Sequence, residues 1–394
     1  MYKRQFQSQI VDGEELRLKG QSQSMGQKPL KAVRGNIYDR DNVAFTRNII
    51  HYSFGVHPSQ IENKDEFAEW ISDATGEDKS KYLKKLNSSR SFEYLERNLQ
   101  RKHCEKLLVN KPNGLIVERD SRRYYPHGNL AAQAIGFVDL DDKGIAGIEQ
   151  KYNSYLTGAP GWVVRQMSGR GNTRYKTNLP QKPPVDGASI QLTIDLEYQA
   201  ILQEELAMQV EKTSASSAMG LILNPQTGDI LAMATVPDFD PNYPGRGEIG
   251  SQRNKVITDQ FEPGSTFKIV PITGAVDQNT VSLWQEFNCE NGSYTFAGQT
   301  IKDWDDFGLL TVPQIMENSS NVGVIKIAET LGRNNLYRYS RNLGFGMATN
   351  ISLAGEHPGT LRQVTEWSHI SLAQISLGHE VGVTALQLGM AYAA

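Results

Sequence analysis

Residues 180–187 read PQKPPVDG, three prolines and a glycine in eight positions. Proline fixes φ and lacks an amide donor, so this stretch cannot run through the middle of a helix or a sheet. A chain of 394 residues is also too long for one ordinary hydrophobic core. The break therefore predicts a joint, with a lead-in over residues 1–31, one domain over 32–184 and a second over 185–394. Apolar residues make up 39% and charged residues 22%, values of a chain that folds rather than one that stays disordered.

The first half carries structural signals and no chemical ones. Residues 7–31 are polar with scattered leucines and read as an extended or partly helical lead-in; residues 1–5, MYKRQ, look like a translated sequencing-adapter scar. Residues 33–46, VRGNIYDRDNVAFT, mix β-formers with the turn-prone pair Asp41-Asn42 and predict two short strands around a tight turn. Residues 63–107 place Phe67, Trp70, Ile71, Tyr82, Leu83, Leu86, Tyr94 and Leu95 in helical stripes. Residues 115–120 predict a strand, residues 130–138 a short helix after the turn at Tyr124-Tyr125-Pro126, and residues 144–156 a helix after its glycines.

In the second half, residues 189–195 alternate at period two, and residues 196–212 set Ile201, Leu202, Leu206 and Val210 at helical spacing. The apolar runs 218–223 and 229–236 flank NPQTG and predict a hairpin. The fold class is α+β. Residues 262–268, EPGSTFK, are the chemical centre: Pro263-Gly264 halts what precedes, and Ser265 stands where a helix would begin. Three residues on, Lys268 falls on the same helix face. A serine hydroxyl is a poor nucleophile at neutral pH, and a desolvated lysine with a lowered pKa can take its proton. A helix N-terminus adds positive potential where an oxyanion would form. An S-x-x-K motif arises by chance about once in a chain of this size, so context must supply specificity. It does: Ser265-Lys268 is the only such match, and Ser319-Ser320-Asn321 follows, completing the S-x-x-K and S-x-N pair of serine acyl-transferases.

The remaining composition excludes other classes. A net charge of -3 and a pI near 6.2 give no pull towards nucleic acid. Cys104 and Cys289 lie far apart with no C-x-x-C partner and read as small buried hydrophobes. No histidine spacing suits a metal, and neither a metal nor a cofactor is expected. No run of about 20 apolar residues spans a bilayer, so any membrane anchor is expected upstream of the chain.

The segments PGSTFK and NSSNVG resemble the first two active-site motifs of penicillin-binding proteins, and residues 33–40, VRGNIYDR, resemble the R-G-x-I-x-D-R signature of the class B members. Residues 224–233 and 377–388 are similar to the hairpin before the nucleophile and to a helix start after the second motif, and are expected to be structural. Asn42 stands where the family has glycine, and asparagine tolerates the positive φ of such a turn. The resemblance implies an N-terminal pedestal or dimerisation-type domain followed by a β-lactamase-like serine transpeptidase domain. It implies Ser265 as the acylated nucleophile, Lys268 as its general base, Ser319 as a proton relay and Asn321 as a partner of the substrate amide or of Lys268. The implied ligands are peptidoglycan stem peptides and β-lactams. The implied partners are a lipid-linked glycosyltransferase and the division or elongation machinery, at the extracytoplasmic face of the bacterial cell membrane, with the septal or sporulation branch favoured.

The family's third motif, K-T-G or K-S-G, is absent: Lys176-Thr177 and Lys212-Thr213 lack the glycine and precede Ser265. The expectation is a chain cut off at both ends and inactive or nearly so in this form, since one missing oxyanion donor costs roughly two to three orders of magnitude in turnover. Two alternatives stand beside transpeptidation: a D,D-carboxypeptidase with water as acceptor, and a non-catalytic cell-wall or division scaffold. The long N-terminal domain weighs against the first and the intact Ser265, Lys268, Ser319 and Asn321 against the second.

Overall fold

The computed structural model describes residues 25–109, 111–167, 173–174 and 180–394. The proposed scar at residues 1–5, the lead-in through residue 24 and the Lys176-Thr177 pair lie outside the described residues. The end of the lead-in is not loose: β1, Met25–Leu30, pairs along its length with β6, Gly161–Met167, which also pairs with β7, Thr173–Arg174, and β8, Gln181–Lys182.

The R-G-x-I-x-D-R segment forms β2, Ile37–Tyr38, and an isolated bridge from Tyr38 to Ala44 closes the turn in place of a second strand. Asp39 builds that turn, its Oδ1 accepting from the amides of Asp41 at 2.9 Å and Val43 at 2.7 Å, while Asn42 takes φ 64°. Arg34 turns inward. Its guanidinium donates to Glu149 Oε2 at 2.8 Å, and Arg123 donates from Nε to Glu149 Oε1 at 2.6 Å, with Glu149 fully buried. The signature arginine thus pairs with a buried carboxylate; Asn153 Oδ1 and Thr157 Oγ1, both at 2.9 Å, accept from its Nη1, and the Glu149 carbonyl accepts from its Nη2 at 3.0 Å.

A three-stranded antiparallel sheet, in the order β4 (Glu93–Gln100), β3 (Arg47–Val56), β5 (Ile116–Tyr124), packs against α1 (Lys64–Thr75), α2 (Lys79–Leu86) and α3 (Arg101–Val109). Phe54, Val56, Ile71, Tyr82, Leu86, Leu95 and Leu107 fill the layer between them. Tyr94 and Leu95 therefore sit on a strand and not on the helix their spacing suggests. Pairing with β3, where Gly55 faces Tyr94, overrides a helical pattern that holds through Leu86 and resumes only at Arg101. The short helices α4 (Ala132–Ile135), α5 (Gly147–Lys151) and α6 (Asn153–Thr157) follow the expected turn and glycines.

The proline-rich joint is laced into the first half. Besides the β8 pairing, Val185 bridges to Ala159, Asp186 Oδ1 accepts from the Val33 amide at 2.8 Å, and a Cβ on Gly187 would lie 1.7 Å from the Leu156 carbonyl oxygen. Proline here limits strand length without freeing the chain. Beyond it β9, Ile190–Gln191, runs parallel to β2, so Ile194 joins a core with Ile37, Phe45, Ile135, Ile148 and Leu156.

The second half opens with α7, Leu196–Thr213, lying on the antiparallel hairpin of β10 (Ala218–Leu223) and β11 (Ile230–Val236). The expected apolar stripe is only partly inward. Ile201 is exposed, whereas Gln199 is fully buried and clamps Met233 through its amide, donating to the carbonyl at 2.9 Å and accepting from the N–H at 2.8 Å. Leu202 and Leu206 approach the hairpin over Gly220, where any Cβ would meet them at 2.8 and 3.1 Å. The helical body follows: α8 (Lys255–Thr258), α9 (Ile269–Asp277), α10 (Val312–Glu317), α11 (Asn321–Leu331), α12 (Arg333–Asn342), α13 (Ser371–Ser376) and α14 (Ala385–Ala393). Between α9 and α10 run β12 (Glu286–Asn288), β13 (Ser293–Phe296), β14 (Gln299–Lys302) and β15 (Leu309–Thr311), with β12 on β15 and β13 on β14; β16 (Thr360–Leu361) pairs with β17 (Val381–Gly382). Phe267, Val270, Val322, Ile325, Ile327, Leu336 and Phe345 are buried at its centre. Asn242 ties the halves together, exchanging hydrogen bonds with the Tyr125 backbone at 3.0 and 2.9 Å.

Candidate active site

The nucleophile turn is held from both sides. Phe261 bridges to Val383, and the Gly264 amide donates to the Gly378 carbonyl at 3.1 Å. Gly264 takes φ +56°, a conformation open to glycine, and the chain then enters a 3-10 turn over Gly264–Lys268 before α9. The expected α-helical start is thus a tighter turn, in which positions i and i+3 eclipse, bringing Ser265 and Lys268 onto one side. Phe267, fully buried against Phe345 with ring centroids 4.9 Å apart, anchors the turn in the core; Ser265 stays exposed.

Lys268 is 1% exposed. Its ammonium donates to the Ser319 carbonyl at 2.5 Å, to Ser319 Oγ at 3.0 Å and to Asn321 Oδ1 at 2.8 Å. Burial pulls its pKa from 10.5 down to about 8, against a smaller upward pull from the Asp303 carboxylate. A lysine in that range is part neutral at physiological pH and able to accept a proton. The structure thereby brings together Lys268, Ser319 and Asn321, with Ser265 one turn away on the solvent side.

Ser319 and Asn321 are placed by local geometry. The helix α10 begins with a capping box between Thr311 and Gln314 and ends at Asn318; Ser319 then adopts φ +53°, an uncommon angle for a non-glycine residue, which turns its carbonyl to Lys268. Ser320, between the two candidate positions, faces away and caps α11, accepting from the Gly323 amide at 2.9 Å.

Sequence reasoning missed two neighbours. Asp303, just after β14, accepts from Ser320 Oγ at 2.7 Å, from the Asn321 amide and from the Val322 amide at 3.1 Å. Its signal was the acidic run DWDD at residues 303–306, which no motif singles out. The second is the turn Gly378-His379-Glu380, within a segment expected to be a structural helix start. Thr384 does cap α14, but the turn before it grips the nucleophile loop: His379 Nδ1 meets Glu262 Oε2 at 3.0 Å, and the Glu380 amide donates to Glu262 Oε1 at 3.1 Å. The His379 bond holds the Glu262 carboxyl below its usual pKa. Cys104 and Cys289 are buried free thiols, as their isolation suggests, and burial pushes both pKa values up. Among the described residues no cluster of three or more His, Cys, Asp or Glu is placed to hold a metal.

An exposed serine one turn before a buried, depressed-pKa lysine, set in a helical body that follows an N-terminal domain, is the arrangement of a candidate serine acyl-transferase. Comparison with known proteins agrees: residues 218–394 match the penicillin binding protein transpeptidase domain and residues 29–192 the penicillin-binding protein dimerisation domain. The chain is 31% identical over 390 residues to the probable peptidoglycan D,D-transpeptidase PenA of Neisseria meningitidis, covering 98% of this chain and 67% of that protein. It is 29% identical to the peptidoglycan D,D-transpeptidase FtsI of Escherichia coli, with 98% and 66% covered. A solved peptidoglycan synthetase from Bifidobacterium adolescentis superposes with a TM-score of 0.71 at 26% identity, over 94% of this chain and 72% of that one. The chain belongs to the class B penicillin-binding proteins. It spans about two thirds of the length of these curated relatives.

Proposed function

We propose that this chain carries the acylating machinery of a peptidoglycan D,D-transpeptidase. The observation that carries the reading is the environment of Lys268: a buried ammonium held by Ser319 Oγ and Asn321 Oδ1, with its pKa lowered to about 8, one turn from exposed Ser265. Ser265 Oγ attacks the carbonyl of the penultimate D-Ala of a stem peptide while neutral Lys268 takes its proton. The bond to the terminal D-Ala breaks, and Ser319 passes a proton to the departing amine. An amine of a neighbouring stem peptide then attacks the acyl-Ser265 ester, forming the cross-link and returning the proton to Ser265. Asn321 orients Lys268 and offers its amide to the substrate backbone. β-Lactams acylate the same serine.

The domain division at residue 185 belongs to this reading, with residues 32–184 as the pedestal and 185–394 as the catalytic part. So do a location at the extracytoplasmic face of the cell membrane, and work beside a lipid-linked glycosyltransferase in septal or sporulation wall synthesis. Among the described residues no helix is long and apolar enough to cross a membrane.

The test is labelling of this chain, and of the product of the whole gene, with a fluorescent penicillin, followed by peptide mapping. Label on Ser265 that Ser265→Ala abolishes supports the reading; a folded whole-gene product that never labels refutes it in favour of a scaffold. Incubation with a D-Ala-D-Ala peptide and an amine acceptor separates cross-linked product from the hydrolysed one of a carboxypeptidase.

A further inference from the structure

The second motif holds its shape only in part through its own Ser320 cap on the Gly323 amide. Ser319 sits at positive φ and α11 begins two residues later, so the groups that meet Lys268 depend on what fixes the start of that helix. The structure provides one ionic fixture. Asp303 leaves the end of β14 and turns both carboxylate oxygens onto the motif: Oδ2 accepts from Ser320 Oγ, and Oδ1 accepts from the backbone amides of Asn321 and Val322. The same strand end supplies the Lys302 carbonyl, which accepts from Asn321 Nδ2 at 2.8 Å and so dictates that Asn321 Oδ1, not its NH2, faces Lys268. Trp304 follows and donates its indole N–H to the Asn318 carbonyl at 2.8 Å. Three consecutive residues, 302–304, thus grip Asn318, Ser320, Asn321 and Val322, the residues on either side of Ser319, with Asn321 taken by both its backbone and its side chain.

We propose that Asp303 is a positioning residue of the acyl-transfer site, fixing Ser319 and Asn321 on the Lys268 ammonium through the first turn of α11 and holding a negative charge behind that ammonium. The inference rests on the reading of Lys268 as the base for Ser265. The two contributions of Asp303 oppose each other. Its hydrogen bonds organise the site, which accelerates acylation, because charge-assisted bonds to backbone amides are the strong ones. Its charge favours protonated Lys268, which holds the base back at low pH. Two further titratable groups face this cluster: Lys326 on α11, paired with Glu290 at 2.6 Å, and the buried Cys289 thiol, 3.5 Å from Ser320 Oγ. Of these, Lys326 is already neutralised by its partner and the thiol is held in its neutral form by burial.

The experiment is the acylation rate by a fluorescent penicillin between pH 6 and 10, in the whole-gene product, for the unaltered protein, Asp303→Asn and Asp303→Glu. Asn keeps an acceptor and removes the charge. The expected result is a plateau rate lowered about tenfold with the acid limb displaced to lower pH, while Asp303→Glu keeps the limb where the unaltered protein has it. A purely structural Asp303 would lower the plateau or the folded fraction and leave the midpoint unmoved, and that result overturns the inference. Asp303→Ser, also uncharged and small, replaces the asparagine variant if the latter does not accumulate as folded protein, with the same midpoint as readout. If the unaltered protein itself fails to label at Ser265, the acyl-transfer reading falls and the inference with it; labelling with coincident midpoints in all variants sinks the inference alone.

Discussion

Replacing Lys268 by methionine should make the protein more stable at neutral pH while abolishing acylation. Methionine matches the lysine stem in length and flexibility and brings no charge. The folded site lowers the Lys268 pKa from 10.5 to about 8, and each unit is worth about 1.4 kcal/mol between the two protonation states, so keeping the ammonium buried costs about 3 kcal/mol at pH 7. Against that, the Ser319 and Asn321 oxygens lose their donor. Both residues are only partly buried and can turn to water, which costs roughly 1 kcal/mol in sum. The net expectation is a variant about 2 kcal/mol more stable at pH 7. The sign of the pH dependence follows from which state binds more protons. Between pH 8 and 10.5 unfolded Lys268 is protonated and folded Lys268 is not, so the stability of the unaltered protein climbs through that window. The advantage of Lys268→Met shrinks over the same range and is gone above it. Paired denaturant titrations of both proteins at pH 7 and near pH 10 measure the difference, with other titrating groups cancelling between them. A variant as stable as or less stable than the parent at pH 7 would show that Lys268 is a net structural asset, and the argument for a desolvated base would fail.

Three further outcomes follow from the same structure. The acylation rate should rise with pH through a midpoint near 8, since only neutral Lys268 accepts the Ser265 proton; a flat profile from pH 6 to 9 would exclude lysine as the base. Gly378→Ala should slow acylation at least tenfold, because its Cβ would lie 2.1 Å from the Gly264 carbonyl oxygen at a φ of +80°, displacing the nucleophile turn; labelling kinetics beside a circular dichroism check separate this from unfolding. Glu149→Gln should destabilise the first domain by about 3–5 kcal/mol, since two buried guanidiniums lose one shared counter-charge, and earlier proteolysis of residues 32–184 would report it.

Much of this architecture is legible in the chain, and the failures have physical causes. The hairpin of β10 and β11, the helix α7 and the turn at Asn42 follow from local preferences that tertiary contacts do not contest. Tyr94 and Leu95 mislead because β4 earns its extended form from β3, a partner about forty residues away in sequence. The proline-rich joint misleads differently: its prolines do stop regular strands, but Asp186 and Gly187 find specific seats on Val33 and Leu156 that no local signal announces. In the candidate site, Ser265, Lys268, Ser319 and Asn321 can be proposed from the sequence because a motif compresses chemistry into spacing. Asp303 is invisible because it acts through backbone amides, and backbone amides leave no trace in the residues they belong to.

The two motif-bearing regions solve one problem in opposite ways. Arg34 and Arg123 share the buried Glu149, so that carboxylate is held directly by two cations and serves rigidity, and Asn153 and Thr157 take further donors of Arg34. Lys268 is buried with no carboxylate in contact; its oxygen partners are neutral, and Asp303 reaches it only across Asn321 and the first turn of α11. A carboxylate directly on Lys268 would hold the proton and silence the base, whereas no charge at all would leave the second motif without its fixture. On the proposed acyl-transfer reading, setting the anion behind the Asn321 acceptor raises the lysine pKa by less than burial lowers it, and the ammonium stays able to give up its proton. The site is thus stable enough to hold its geometry and is denied the ion pair that would stabilise it further.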